Sequence, residues 1–137
     1  MKIEVSNGEI VDKFTILEIK LRNSDSDQKS KQIAKEMMYL SPIVEELNVP
    51  SELIDGLRDV NQKLWNVEDE LRVHESDSNF DEEFVRLARL VYHTNDKRFA
   101  FKSEINKITN SDLTEEKILP KYIREQDLIW WVTRSPI

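Results

Sequence analysis

An all-α fold, an antiparallel helical bundle built around one long helical hairpin, is predicted by three observations. Apolar residues recur at three- and four-residue spacing through most of the chain. Only two glycines and four prolines interrupt its 137 residues. Clusters of Ser, Asn and Asp separate the periodic stretches from one another. MKIEVS alternates briefly before the first helix, which fits a short edge strand or an ordered arm.

The elements follow in order. In SNGE, Ser6 and Glu9 have the spacing of a capping box, and a helix runs from Asn7 to Arg22 with Ile10, Phe14, Leu17 and Leu21 on one side. NSDSDQ breaks the chain. Ser26 or Asp27 caps a second helix whose stripe is Ile33, Met37, Leu40, Val44 and Leu47, with Met37 and Met38 core or half-buried and Pro42 kinking or dividing the segment after Leu40. NVPSEL restarts the chain, and Ser51 to Glu75 reads as a third helix that carries Gly56 at a propensity cost of about 1 kcal/mol. After SDSNF, Asn79 and Glu82 form a second capping-box pattern. A helix from Phe80 to Ile108 then completes the hairpin. Ser111 or Asp112 starts a short helix ending at Pro120.

Composition bounds the rest. At 39% hydrophobic and 34% charged residues, the chain supports one modest core, expected over residues 1–119 as a single domain. Residues 120–137 include Tyr122, Ile123, Leu128, Ile129, Trp130, Trp131 and Val132. That is too apolar for an ordinary disordered tail, so it is expected to pack on the body or on a neighbouring subunit, as in a homodimer. With no apolar presequence and no run of about 18 apolar residues, membrane insertion is disfavoured and a cytoplasmic location is expected. The absence of cysteine removes disulfides and thiolate metal sites. A net charge of -7 argues against broad nucleic-acid binding, which needs clustered positive charge, while leaving local binding of one anionic group open.

One stretch, VYHTNDKRFAFKSEIN, departs from the simple pattern. Asn95, Arg98, Lys102 and Asn106 line up with Phe84, Leu87, Ala88 and Val91 on one helix face. The preceding helix does the same. There Leu53, Leu57, Val60, Leu64 and Leu71 share their face with Asn61, Glu68 and Glu75, with Arg72 at the margin. Antiparallel counting about Ser78 brings Asn61 level with Asn95 and Leu57 level with Arg98 or Phe99. Glu68 and Arg72 have the spacing of a local ion pair. Lys102 has no obvious partner on its own helix, and Glu18 is a candidate. Three readings stand: an internal polar network, a groove that receives an anionic partner or metabolite, and solvent-facing helix ends. The ligand-binding candidates are Asn61, Glu68, Arg72, Asn95, Arg98 and Lys102.

Catalytic signals are sparse. Carboxylates for a Mg²⁺-dependent hydrolase are Glu18, Glu68, Glu75 and Asp96, but Glu68 and Glu75 stand about 10 Å apart along one helix and need ligands from elsewhere. His74 and His93 lack metal-ligand spacing. Neither a nucleophile elbow nor a glycine-rich phosphate loop is present. Trp130 and Trp131 have the chemistry to stack a base or sugar, but no basic groove accompanies them in sequence.

VSNGEIVDKFTILEIKL, NQKLWNVEDELR, LARLVYHTNDKRFAFKSEIN and TEEK, in that order, resemble the successive signatures of a small bacterial and phage family, domain of unknown function 6165. The resemblance covers most of Met1 to Lys117 and stops before the tryptophan-rich tail. It implies a compact helical protein and directs attention to Asp12, Lys13, Glu18, Lys20, Asn61, Trp65, Glu68, Asp69, Arg72, Asn95, Asp96, Arg98 and Lys102. It implies no active residue. The expected function is an interaction or assembly protein without a cofactor, whose polar groove takes a protein partner or an anionic small molecule. The alternative is a Mg²⁺-dependent nucleotide or phosphate-ester hydrolase using Glu18, Glu68 and Glu75.

Overall fold

The structure, a computed structural model, describes residues 1–122. Four helices account for its regular structure: α1 (Asn7–Arg22), α2 (Asp27–Leu47), α3 (Ser51–Ser76) and α4 (Glu82–Ile108). The all-α expectation holds. The expected strand does not form: residues 1–5 are exposed and irregular, and among the described residues no second strand offers a ladder to pair with. Residues 123–137 lie outside the described region, and with them all of the tail contact except Tyr122.

Local chemistry sets the helix ends. Ser6 Oγ accepts from the Glu9 amide at 3.3 Å, Ser26 Oγ from Lys29 at 3.2 Å and Asp81 Oδ1 from Phe84 at 3.0 Å, each satisfying an otherwise orphaned first-turn donor. The cap of α4 is therefore Asp81 rather than Asn79. Asn48 closes α2 in the left-handed region at φ 51°, where Asn is tolerated better than most residues. The helix continues unbroken through Pro42, an exposed position.

α3 and α4 pack along their length as the predicted hairpin, and α1 lies against both while α2 touches α1 alone among the helices. α1 is therefore covered on two sides. Its deep face is Gly8, Val11, Asp12, Thr15 and Ile19, roughly 140° around the helix from the predicted stripe. Of that stripe only Leu17 is buried, while Ile10 and Phe14 are partly covered and Leu21 is exposed. The stripe is the face left for α2, since α2 has no other helical neighbour. None of the residues of α2 is buried: Met37 is half-covered and Met38 is 75% exposed.

Two apolar clusters hold the body together. Val11, Leu57, Val60 and Ile105 form one, with Leu47, Val49, Leu53, Ile54 and Phe101 packed on it. Val67, Leu87 and Leu90 form the other, backed by Leu71 and Val91. Both glycines permit close approach at this end of the molecule. A Cβ on Gly8 would meet the Lys102 carbonyl oxygen at 2.5 Å, and one on Gly56 would meet the Phe101 ring at 2.3 Å. Gly56 is thus a packing position, which outweighs its propensity cost.

Beyond Ile108 the chain does not make the expected short helix. It runs back along α4 as an irregular strap. Ser111, expected to cap a helix, instead accepts from the Asn7 amide at 3.0 Å through Oγ and donates its own amide to the Asn106 carbonyl at 2.8 Å. Further along, Glu115 reaches Lys102, Lys117 reaches Asp96 at 3.5 Å, and Tyr122 stacks edge-on against Tyr92 at 5.5 Å. These contacts replace the intrahelical bonds of a short isolated helix, which would be marginal alone.

Candidate functional site

The polar line of α4 faces the deep side of α1, and its centre is Asp12. This carboxylate is fully buried, an unfavourable position unless every lone pair is answered. It is answered from both hairpin helices. Asn61 Nδ2 donates to Oδ1 at 2.9 Å, and Arg98 grips the carboxylate in bidentate fashion through Nε to Oδ1 at 2.9 Å and Nη2 to Oδ2 at 2.5 Å. Asn61 also donates to Thr15 Oγ1 at 2.9 Å, and Thr15 donates to the Asp12 carbonyl at 2.8 Å. Asn95 accepts from Arg98 at 3.5 Å, a long contact that steadies the outer guanidinium edge. The Asp12 carboxylate holds the Arg98 guanidinium above its ordinary pKa, against the opposing effect of burial.

Lys102 forms the second half of the site. Its side chain is only 7% exposed, and its ammonium lies 2.7 Å from Glu9, 2.7 Å from Glu115 and 3.9 Å from Asp12. Burial works against the charge most strongly, but the close carboxylates of Glu115 and Glu9 and the field of Asp12 outweigh it and leave the pKa raised. The Glu9 contact is a well-formed hydrogen bond. Glu115 differs. Its Oε2 is buried and takes no hydrogen bond of acceptable angle, so its short distance to Lys102 is a charge contact without good donor alignment. Glu9 thus spends its carboxylate on Lys102 instead of returning to Ser6 as a capping box.

A small cleft of about 40 Å³ opens at the outer edge of this cluster, lined by Asn95, Arg98, Phe99, Lys102, Glu115 and Lys117. Next to it is a larger concavity of about 520 Å³, lined by Tyr92, Asn95, Asp96, Lys117, Leu119, Pro120 and Tyr122. The two share Asn95 and Lys117. Lys117 sits at their common rim with its ammonium 5.3 Å from the centroid of the Phe99 ring.

The six predicted ligand residues separate into two places. Asn61, Asn95, Arg98 and Lys102 converge around Asp12 and the cleft. Glu68 and Arg72 do not join them: they pair with each other at 3.8 Å near the far end of the hairpin, where Arg72 also meets Asp69 at 3.4 Å. With Glu75, Leu71, Phe84 and Ala88 they line a separate, mostly apolar groove. The predicted partner of Lys102, Glu18, instead pairs with Arg58 at 3.0 Å on the surface. Asp96 faces Lys117. Among the described residues no group of three or more His, Asp or Glu side chains is placed to hold a metal ion.

Sequence reasoning missed Glu9, Asp12 and Glu115 as partners of the basic line. For Asp12 a signal existed: Gly8, Asp12, Thr15 and Ile19 are spaced by four, three and four, a helical face that alternates small, polar and apolar groups. Glu115 lies in the TEEK segment of the resemblance, but its contact with Lys102 depends on the strap turning back along α4.

The geometry is that of a small helical bundle with a buried ion network at one edge of its hairpin. The chain belongs to the family described as a family of unknown function (DUF6165), whose model matches residues 1–125. No match was found among curated proteins or among solved structures.

Proposed function

We propose that the protein is an intracellular interaction or assembly module that receives an acidic group, most simply a carboxylate of a protein partner, at the cleft beside Asn95, Arg98 and Lys102. The observation that carries this reading is the carboxylate of Glu115 held 2.7 Å from the buried Lys102 ammonium. It is a carboxyl group in a cleft edged by Arg98 and Lys117, supplied by an irregular segment rather than by the helical body. A space of about 40 Å³ takes a group of a few heavy atoms. The apolar-walled concavity alongside would take the body of the partner. Recognition here is local, since the molecule as a whole is negative and offers no long-range attraction to an acidic partner.

The anionic reading changes in one respect. Arg98 and Lys102 are already neutralised from within, so they do not present free charge in the way the sequence pattern suggested. Replacing Arg98 with Met is accordingly a poor probe of binding, because it strands the buried Asp12 carboxylate. Lys117, at the rim, is the better probe. An N-acetylated hexaglutamate peptide titrated into the full chain at about 0.15 M salt, where surface repulsion is screened, should bind saturably. Lys117→Glu should weaken that binding at least fivefold with an unchanged thermal melt. Lack of saturation at millimolar peptide would overturn the reading.

Nothing in the placement of Glu18, Glu68 and Glu75 favours the hydrolase alternative. Glu18 is committed to Arg58, and Glu68 and Glu75 share one helix on the border of a different groove.

A further inference from the structure

We infer that Glu115 is a built-in competitor for the cleft, so that an incoming carboxylate enters by exchange and its binding loosens the strap, residues 111–122, on α4. This inference rests on the proposed acidic-group reading and adds its regulation. Charge accounting requires the exchange. Glu9, Asp12 and Glu115 surround Arg98 and Lys102, three negative groups about two positive ones. A further anion added to that set would meet net repulsion from the surplus carboxylate. Removing Glu115 leaves the remaining charges balanced, and a new carboxylate then restores the original count. Lys117, paired with Asp96 in the closed arrangement, belongs to the same strap and loosens with it.

Geometry identifies Glu115 as the group that yields. Glu9 and Asp12 are fixed on α1, whose N-terminus is fastened to α4 through Gly8 N to Asn106 Oδ1 at 2.6 Å and Asn7 Nδ2 to Thr109 Oγ1 at 2.9 Å. Glu115 has no helix to hold it, and its buried Oε2 lacks a well-aligned donor. Of the three acids it therefore loses the least on leaving. Departure of Glu115 would also loosen the wall of the larger concavity, letting it adjust to the partner, since Leu119, Pro120 and Tyr122 belong to the same strap.

The test uses the full chain, Glu115→Gln, and Glu116→Gln as a control at the adjacent exposed position. Hydrogen exchange read over residues 109–122 reports the strap, and calorimetric titration reports affinity for N-acetylated hexaglutamate, citrate and inorganic phosphate. If Glu115 keeps the cleft closed nine-tenths of the time, its removal raises affinity about tenfold. Glu115→Gln should show faster strap exchange without ligand and tighter binding. In the wild type the peptide itself should accelerate strap exchange. Glu116→Gln should match wild type throughout. Peptide binding without citrate or phosphate binding assigns the carboxylate to a protein, and citrate binding as tight as the peptide assigns it to a small molecule. Both support the exchange. Peptide binding with equal affinity and unchanged strap exchange in Glu115→Gln would overturn the exchange while leaving the acidic-group reading intact. Strap loosening with no binding of any probe to either protein would overturn both and leave Glu115 as an anchor.

Discussion

Asp12 decides what the neighbouring polar residues do. A buried carboxylate with no partner would cost several kcal/mol, and here Asn61 and Arg98 both serve it from separate helices. The polar line of α4 is therefore first a complement to α1 and only at its outer edge a surface. Lys102 gives this a measurable pH dependence. Its pKa is raised in the folded protein, so its ion contacts contribute in full below the unfolded lysine value of about 10.4 and are lost as pH rises through the higher folded value. Urea unfolding between pH 9 and 11.5 should show stability falling from about pH 10 upward, and Lys102→Met should remove most of that slope. An identical alkaline slope in the variant would assign the loss to other groups. Arg98, Lys102, Asn61 and Asn95 were all legible from sequence as one polar seam, because helical periodicity needs only local spacing. Of their partners, Asp12 carried a helical-face signal, whereas Glu9 and Glu115 reach the seam only through tertiary folding.

The helices repeat this contrast. α3 and α4 were readable almost to the residue, since each has one apolar face and a clear turn between them. For α1 the apolar stripe that periodicity selects is the shallower one, because the helix is covered on two sides and its deeper face contains Gly8, Asp12 and Thr15. The strap, expected as a short helix, is set by what it touches rather than by propensity. α2 marks the other extreme: it has a good stripe but only α1 to bury it against, and no residue of it is fully covered. Regions with few buried contacts open at low free energy. Native-state hydrogen exchange should therefore show α2 amides exchanging well before those at the centres of α3 and α4. Equal protection across all four helices would show that α2 is held more firmly than its packing implies.

At the scale of the whole molecule, the apolar core is divided. One cluster lies with Val60 and Ile105, the other with Val67 and Leu90, and Asn61 and Arg98 stand between them on α3 and α4. Apolar packing alone would tolerate a slip of α1 along the hairpin groove. A bidentate Arg98–Asp12 pair does not, since any shift leaves a buried charge unanswered. The network thus sets the register of α1, and the register in turn places Glu9 and Lys102 where they edge the cleft. The most direct test is a double-mutant cycle on Asp12→Asn and Arg98→Met, followed by urea unfolding at neutral pH. Each single variant should lose about 3 kcal/mol, because each leaves one partner buried without its counterpart, and the pair should recover about 2 kcal/mol of the summed loss. Losses that add to within about 0.5 kcal/mol would contradict a central role for the pair and make the two residues independent contributors to the fold.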